Sequence, residues 1–289
     1  MNSRFINLAT RALLATAAVL MLVALPRAPI WAAREPQITI QGSTTLLPFV
    51  QAAAEEFMSA NPSVSISVRG GGSGNGLAAL VDSTVRIAMA SRFIKSEEVQ
   101  KAVARGVYPV PIRVALDGIG VVVHPKSPVK RLTLSQLKSI YTGQVTSWKG
   151  LGGPDLAIVP VSRDTSSGTY EVWSERVMEG ARVTNKALMQ ASNAAVADTV
   201  ARTPGAVGYV GLGYVTSSVK ALQIGASPKA FIEPSFATVQ SGQYPIAREL
   251  FVFTNGWPDG GVADFINFLL SPDGQKIAKS EGFVPIWQP

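Results

Sequence analysis

Residues 37–57 read QITIQGSTTLLPFVQAAAEEF, and they contain a strand, a polar turn and a helix in that order. Ile38 and Ile40 alternate with Gln37 and Thr39, the period of a strand with one buried face. Gly42-Ser43-Thr44-Thr45 follows as a run of small and hydroxyl residues. Leu46, Phe49, Val50, Ala53 and Phe57 then recur at helical spacing, with Pro48 in the first turn, where a missing N–H costs nothing. A strand leading directly into a helix is the unit of an α/β fold.

The same unit recurs along the chain. Val64–Val68 alternates Val/Ile with Ser as a second strand, and the glycine-rich run Gly70–Gly76 opens a helix over 77–81. Ile87–Ala90 is a short strand, Ser96-Glu97-Glu98 a helix start with acids in its first turn, and Gly106 the matching stop. Residues 112–124 form a long apolar run interrupted by Asp117, Gly118 and Gly120, which suits an extended crossover. Helices are predicted over 133–141, 170–178, 194–201, 264–270 and 274–279, and strands over 158–162, 206–210 and 250–254. The expected class is α/β, with mixed sheets flanked by helices.

Composition removes several chemistries. The 289 residues include no Cys and one His, His124. Disulfides, thiolate nucleophiles and Cys-ligated metals are excluded, and a His-rich metal centre has too few ligands. Residues 1–33 carry Arg4, Arg11 and Arg27 and no acid, and 12–25 (ALLATAAVLMLVAL) is a 14-residue apolar run ended by Pro26. A membrane span needs about 20 such residues, so this run reads as a signal peptide with small residues at 32–33 for cleavage. No Cys follows it to carry a lipid. Without this segment the net charge falls from +7 to +4, with no Lys/Arg clusters of the nucleic-acid type.

The binding chemistry lies in a repeated design. Gly42-Ser43-Thr44-Thr45, Gly72-Ser73-Gly74-Asn75-Gly76 and Ser166-Ser167-Gly168-Thr169 each carry small hydroxyl and glycine residues into a helix start. A helix's first turn presents unpaired N–H groups and the positive end of its dipole, and glycine lets an anion approach the backbone. The glycine-rich run is neither a P-loop, since Leu77-Ala78 stands where Lys-Ser/Thr would, nor a G-x-G-x-x-G fingerprint. Arg92 and Arg163 each follow a predicted strand, where α/β sheets place ligands, and a guanidinium there can grip two oxyanion oxygens.

Together these segments resemble the phosphate-binding proteins of ABC phosphate importers, in the type II periplasmic-binding-protein superfamily. The resemblance covers nearly all of residues 36–289. It is carried by ITIQGSTTLLP, RGGGSGNGLAAL, AMASR, LTLSQLKSIYTGQVTSWKGLGG, SRDTSSGTYEVW, PGAVGYVGLGYV and SPDGQKIAKSEGFVPI. It implies phosphate ligands at Ser43, Thr44, Thr45, Ser73, Ser91, Arg92, Arg163, Ser167, Gly168 and Thr169. It also implies a two-lobe fold with two crossover hinge strands near 113–121 and 246–254. Lobe one would be 36–116 plus 250–289, and lobe two 117–249.

Arg92 departs from the pattern. Some members place an aspartate there to accept the proton of monohydrogen phosphate, so Asp164 or Asp117 is the candidate acceptor here, while Arg92 and Arg163 would together neutralise a dianion. The implied role is an exported, monomeric, non-enzymatic receptor in the periplasm that hands phosphate to membrane permease subunits, with no cofactor, metal or nucleic acid. The alternatives are a receptor for sulfate or molybdate, a phosphatase acting through Ser167, and a sensor or adhesin domain without ligand.

Overall fold

The computed structural model describes residues 37–287; the segment expected to be a signal peptide lies outside them. No helix of the described residues is long and apolar enough to cross a membrane. The first third alternates strand and helix: β1 (Ile38–Gly42), α1 (Leu47–Ala60), β2 (Ile66–Arg69), α2 (Ser73–Val81), β3 (Ile87–Ala90) and α3 (Ser96–Val103). β4 (Pro109–Val123) is a 15-residue strand followed by β5 (Arg131–Thr133) and α4 (Leu134–Tyr141). Then come β6 (Val159–Arg163), α5 (Gly168–Arg176), β7 (Leu188–Gln190), α6 (Asn193–Arg202) and β8 (Ala206–Gly211). The chain ends through β9 (Lys220–Ala221), β10 (Gln223–Ser227), β11 (Ala230–Ile232), α7 (Phe236–Gln240), β12 (Ala247–Asn255), α8 (Gly260–Leu270) and α9 (Pro272–Ser280).

One nine-stranded sheet runs β2-β1-β3-β12-β4-β8-β6-β7, with β9 beside β4. β1 is parallel to β2 and β3, and β6 is parallel to β7 and β8. β4 and β12 are antiparallel and join these two groups. The first part of β4 pairs with β12, from Pro109 opposite Asn255 to Gly118 opposite Ala247; its last part pairs with β8. This register sets Asp117 opposite Arg248. The apolar run expected at 112–124 is thus a strand that belongs to both sides of the sheet.

Each side has its own core. Ile38, Ile40, Phe49, Phe57, Phe265 and Leu269 pack under α1 and α8 on the β1 side. Leu137, Tyr141, Trp173, Tyr209 and Ile224 pack on the β8 side. Each buried Phe or Leu side chain contributes roughly 1.5–3 kcal/mol of transfer free energy.

Several features differ from the sequence expectation, among them β7, β9 and α7, which it did not include. α2 begins at Ser73, so the glycine run is largely the first turn of a helix, entered from Gly72 at φ 99. α8 begins at Gly260 rather than 264. A three-stranded sheet of β5, β10 and β11 went unforeseen, because strands of three to five residues show too few alternations to set a period.

Candidate functional site

On the β1 side, three hydroxyl-bearing turns lie at the carboxyl ends of strands. β1 ends at Gly42, whose φ of +144 and contact with the Met89 backbone leave no room for a side chain. Ser43 Oγ accepts from the backbone N–H of Thr45 (3.1 Å) and Leu46 (3.4 Å), fixing the turn into α1. Ser73 opens α2, and its Oγ accepts from the Ser91 N–H at 3.0 Å and lies 3.3 Å from Ser91 Oγ. Ser43, Thr44, Thr45, Ser73 and Ser91 are all buried.

On the β8 side, Arg163 ends β6. Its N–H donates to the Tyr209 hydroxyl at 3.2 Å, which also shares a hydrogen bond with Ser162 Oγ at 2.8 Å. Tyr209 stacks on Trp173 with ring centroids 4.1 Å apart, so the strand end rests on a rigid aromatic pair. Arg163 is 1% exposed. Its Nε and Nη2 donate to the carbonyls of Gln190 and Ala191, each at 3.0 Å, while its buried Nη1 has no hydrogen-bond partner. Burial pushes its pKa down and nearby Asp164 opposes this; a guanidinium nevertheless keeps its charge. Ser167 caps α5, its Oγ accepting from the N–H of Thr169 (3.2 Å) and Tyr170 (3.3 Å).

The two sides meet at these turns. Thr45 Oγ1 and Thr169 Oγ1 are 3.1 Å apart. A Cβ on Gly168 would lie 2.5 Å from Ser73 Oγ and 2.7 Å from Ser91 Oγ, so α5 begins hard against the start of α2. The Gly74 N–H donates to the Ser166 carbonyl at 2.9 Å. Buried hydroxyls and two helix N-termini thus converge with the charged Arg163 nearby.

Arg92 corrects the expectation that two arginines would face a dianion. Its Nη1 and Nη2 donate to the Glu98 carboxylate at 2.8 and 2.7 Å, and its Nε lies 2.7 Å from Glu171 Oε2. Burial would lower its pKa, but the hydrogen bond to Glu98 and the charge of Glu171 outweigh it and hold the value raised. Lys95 Nζ is also 3.0 Å from Glu171 Oε2. Because Glu171 lies on α5 and both cations on the β1 side, this network clamps α5 across the sheet halves with no net charge.

Both candidate proton acceptors hold partners, and Asp164 keeps Oδ2, 3.7 Å from Arg163 Nη2, outside its hydrogen bonds. Asp164 Oδ1 accepts from the Ser166 N–H at 2.9 Å and from the Ser166 hydroxyl, so it serves its own turn. Asp117, wholly buried, takes Arg248 Nη2 at 2.7 Å and Nε at 3.0 Å on Oδ2, and the Leu212 N–H at 2.9 Å on Oδ1. Burial raises the Asp117 pKa, opposed by Arg248 and by backbone donors.

Two residues at the centre were not foreseen. Arg248 of β12 donates to Thr169 Oγ1 (3.0 Å) and Ser91 O (3.4 Å) through Nη1, and to Thr45 Oγ1 (3.2 Å) through Nη2. With the Asp117 bonds, all five of its N–H groups are engaged. Asn193, first in α6, donates from Nδ2 to Thr44 Oγ1 (3.1 Å) and Thr45 Oγ1 (3.0 Å). A lone Asp in the 112–124 run was a usable signal for Arg248, since a buried carboxylate needs a cation. Asn193 carried none beyond a helix start.

A groove of ≈ 1050 Å³ runs beside this cluster, lined by Arg92, Lys95, Tyr170, Glu171, Arg248 and Phe251 among others. None of the clustered hydroxyl residues lines it. The groove is wide and largely apolar in its lining, whereas the hydroxyl cluster has the donors and the buried charge to replace the hydration of a small oxyanion.

Comparison with known proteins agrees with this chemistry. Residues 27–273 match the family model described as PBP superfamily domain. The chain is 36% identical over 251 residues to phosphate-binding protein PstS of Bacillus subtilis, covering 86% of this chain and 80% of that protein. A Clostridium perfringens structure with bound phosphate superposes with a TM-score of 0.80 at 32% identity, covering 87% of this chain and all (100%) of that one. The ABC-type phosphate transport receptor of Vibrio cholerae gives a TM-score of 0.69 at 31% identity, over 86% of this chain and 99% of that one. The strand-to-helix turns, their convergence and these likenesses lead to one assignment: the chain belongs to the PBP superfamily and, within it, to the phosphate-binding proteins of ABC importers.

Proposed function

We propose that this chain captures inorganic phosphate between two lobes and delivers it to the permease subunits of an ABC transporter. The observation that carries this reading is Arg163 Nη1, a buried cationic donor without a partner beside two helix starts and a set of buried hydroxyls. An unpaired buried donor on a charged group costs about 1–3 kcal/mol or more, and an oxyanion oxygen satisfies it. The relatives' names and the phosphate-bound neighbour support the choice of ligand. The ligand set is Ser43, Thr44, Thr45, Ser73, Ser91, Arg163, Ser167, Gly168 and Thr169, with Arg92 acting through Glu98 and Glu171 instead of touching the ion.

The lobes are 36–116 plus 250–289 and 117–249, hinged where β4 and β12 cross. Contacts between Thr45 and Thr169, and between Gly168 and the Ser73–Ser91 pair, form only when the lobes close, so ligand that bridges them drives closure. Export by the N-terminal apolar segment places the receptor outside the cytoplasm, and it acts as a monomer.

Binding rather than catalysis fits the side chains. A serine nucleophile needs a base within hydrogen-bond reach. Ser167 Oγ instead accepts from two backbone N–H groups, and the single histidine, His124, accepts the Lys126 N–H on Nδ1 beyond the end of β4. Tryptophan-fluorescence titration with phosphate, then competition by sulfate and molybdate, tests the reading. Saturable phosphate binding that a tenfold excess of either competitor does not displace is expected. Preferential binding of sulfate or molybdate, or no response to any of the three, contradicts it.

A further inference from the structure

A hydroxyl group has one proton to donate and two lone pairs to accept. Whether it greets an anion as donor or acceptor depends on what already fills those lone pairs. At the threonine end of the site they are filled. Thr45 Oγ1 receives Asn193 Nδ2 at 3.0 Å and Arg248 Nη2 at 3.2 Å. Neither nitrogen can accept in return. The Gly211 N–H donates to Asn193 Oδ1 at 3.2 Å, which fixes which end of that amide is the donor. Thr169 Oγ1 receives Arg248 Nη1 at 3.0 Å and has Thr45 Oγ1 at 3.1 Å. Ser43 and Ser167 have both lone pairs turned to backbone N–H groups. The serine pair differs. Ser91 Oγ has Ser73 Oγ, at 3.3 Å, as its one hydrogen-bonding neighbour and keeps the capacity to accept.

We propose that Arg248 and Asn193 are specificity-determining positioning residues: they fill both lone pairs of Thr45, whose one proton then goes to Thr169, and with Arg248 on its other lone pair Thr169 meets the ion only as a donor, so this end of the site admits only an unprotonated phosphate oxygen. The inference rests on the phosphate-binding reading above. Arg248 does not touch the ion, because Asp117, Ser91 O and the two threonines take all its N–H groups. A P–OH group finds its acceptor at Ser91 Oγ, one residue before the position where some members of the family place a carboxylate. The dianion, with one protonated oxygen, fits this polarity. The monoanion, with two, must set a proton against a donor.

The charged and titratable groups facing the threonines are Asp117 on β4, Arg248 on β12, Arg163 on β6 and Tyr214 after β8. The Arg92, Glu98 and Glu171 network flanks them. Tyr214 donates to the Thr44 carbonyl at 2.6 Å, and burial pushes its pKa up to about 12. The arginines stay charged; against the upward push of burial, Arg92 holds Glu98 below the usual carboxylate range, and Asp117, raised by burial, is paired with Arg248. Phosphate itself, which loses its second proton near neutrality much as phosphate esters do, is therefore the group that changes between pH 6 and pH 8.

The test is calorimetric phosphate affinity at pH 6 and pH 8 for the full chain, for Asn193→Leu, and for the paired change Asp117→Leu with Arg248→Met. The paired change leaves no buried charge unpartnered and so keeps the fold within reach. Wild type is expected to bind roughly tenfold more weakly at pH 6, following the dianion fraction. In both variants this ratio is expected to shrink to about twofold or less, because threonines with a free lone pair accept the second proton. Uniform weakening or loss at both pH values with no narrowing of the ratio, in whichever variant folds, overturns the inference while the phosphate reading stands. A wild-type chain that binds phosphate at neither pH overturns both.

Discussion

Replacing Arg163 with Ala is expected to weaken phosphate binding by about 3 kcal/mol, roughly a hundredfold or more, the usual cost of removing one partner of a buried charge pair. The effect is large because Arg163 Nη1 is a buried donor with neither a hydrogen bond nor an ion pair. Arg92 is neutralised by Glu98 and Glu171, and Arg248 by Asp117. Its β6 backbone would be retained, since Tyr209 holds it through the main-chain N–H. Arg163→Lys is expected to recover only part of the loss, because an ammonium group cannot span two carbonyls and an ion in one plane. Isothermal calorimetry measures both. An affinity within threefold of wild type in Arg163→Ala would place the ion elsewhere.

Replacing Gly168 with Val is expected to lower affinity by about 1–3 kcal/mol through overpacking alone, with every hydrogen-bonding side chain still present. A Cβ at this position lies 2.5 Å from Ser73 Oγ, 2.7 Å from Ser91 Oγ and 3.1 Å from Ser73 Cβ. The hydroxyls can swing aside, but the last of these atoms is fixed to the α2 backbone. The substitution therefore keeps the start of α5 away from the start of α2. Small-angle scattering should show contraction on phosphate addition in wild type and none in the variant. Normal contraction in the variant would mean that closure does not bring these turns together.

What the sequence revealed and what it concealed follow from the range of the interactions. The three hydroxyl turns were legible because each is local: Gly42, Ser43 and Thr45, or Ser167, Gly168 and Thr169, announce a helix start within a few residues. The α/β class followed from the same alternation. Among the charged residues, the part proposed for Arg163 was legible, but the pairings of Arg92, Asp117 and Arg248 were not. Arg92 stands where a ligand arginine could stand, and only the fold shows Glu171, 79 positions on, against its Nε. Asp117 looked like a spare acid in an apolar run until β12 set Arg248 opposite it, 131 positions away. Asn193 caps nothing by its own side chain; its amide matters because α6 starts beside the first hydroxyl turn. In each case a local pattern supplied the residue and a long-range pairing decided its function.

The central claim is that Arg163 Nη1 and the converging helix-start hydroxyls hold a tetrahedral oxyanion. Arsenate is a phosphate isostere with a strong anomalous signal, so a crystal grown with it locates the ion directly. One anomalous peak is expected with an arsenate oxygen about 3 Å from Arg163 Nη1, in hydrogen-bonding range, and others reaching Thr45, Ser73 and Ser167. A peak in the groove lined by Lys95 and Tyr170, with the Arg163 environment unchanged, would contradict the account.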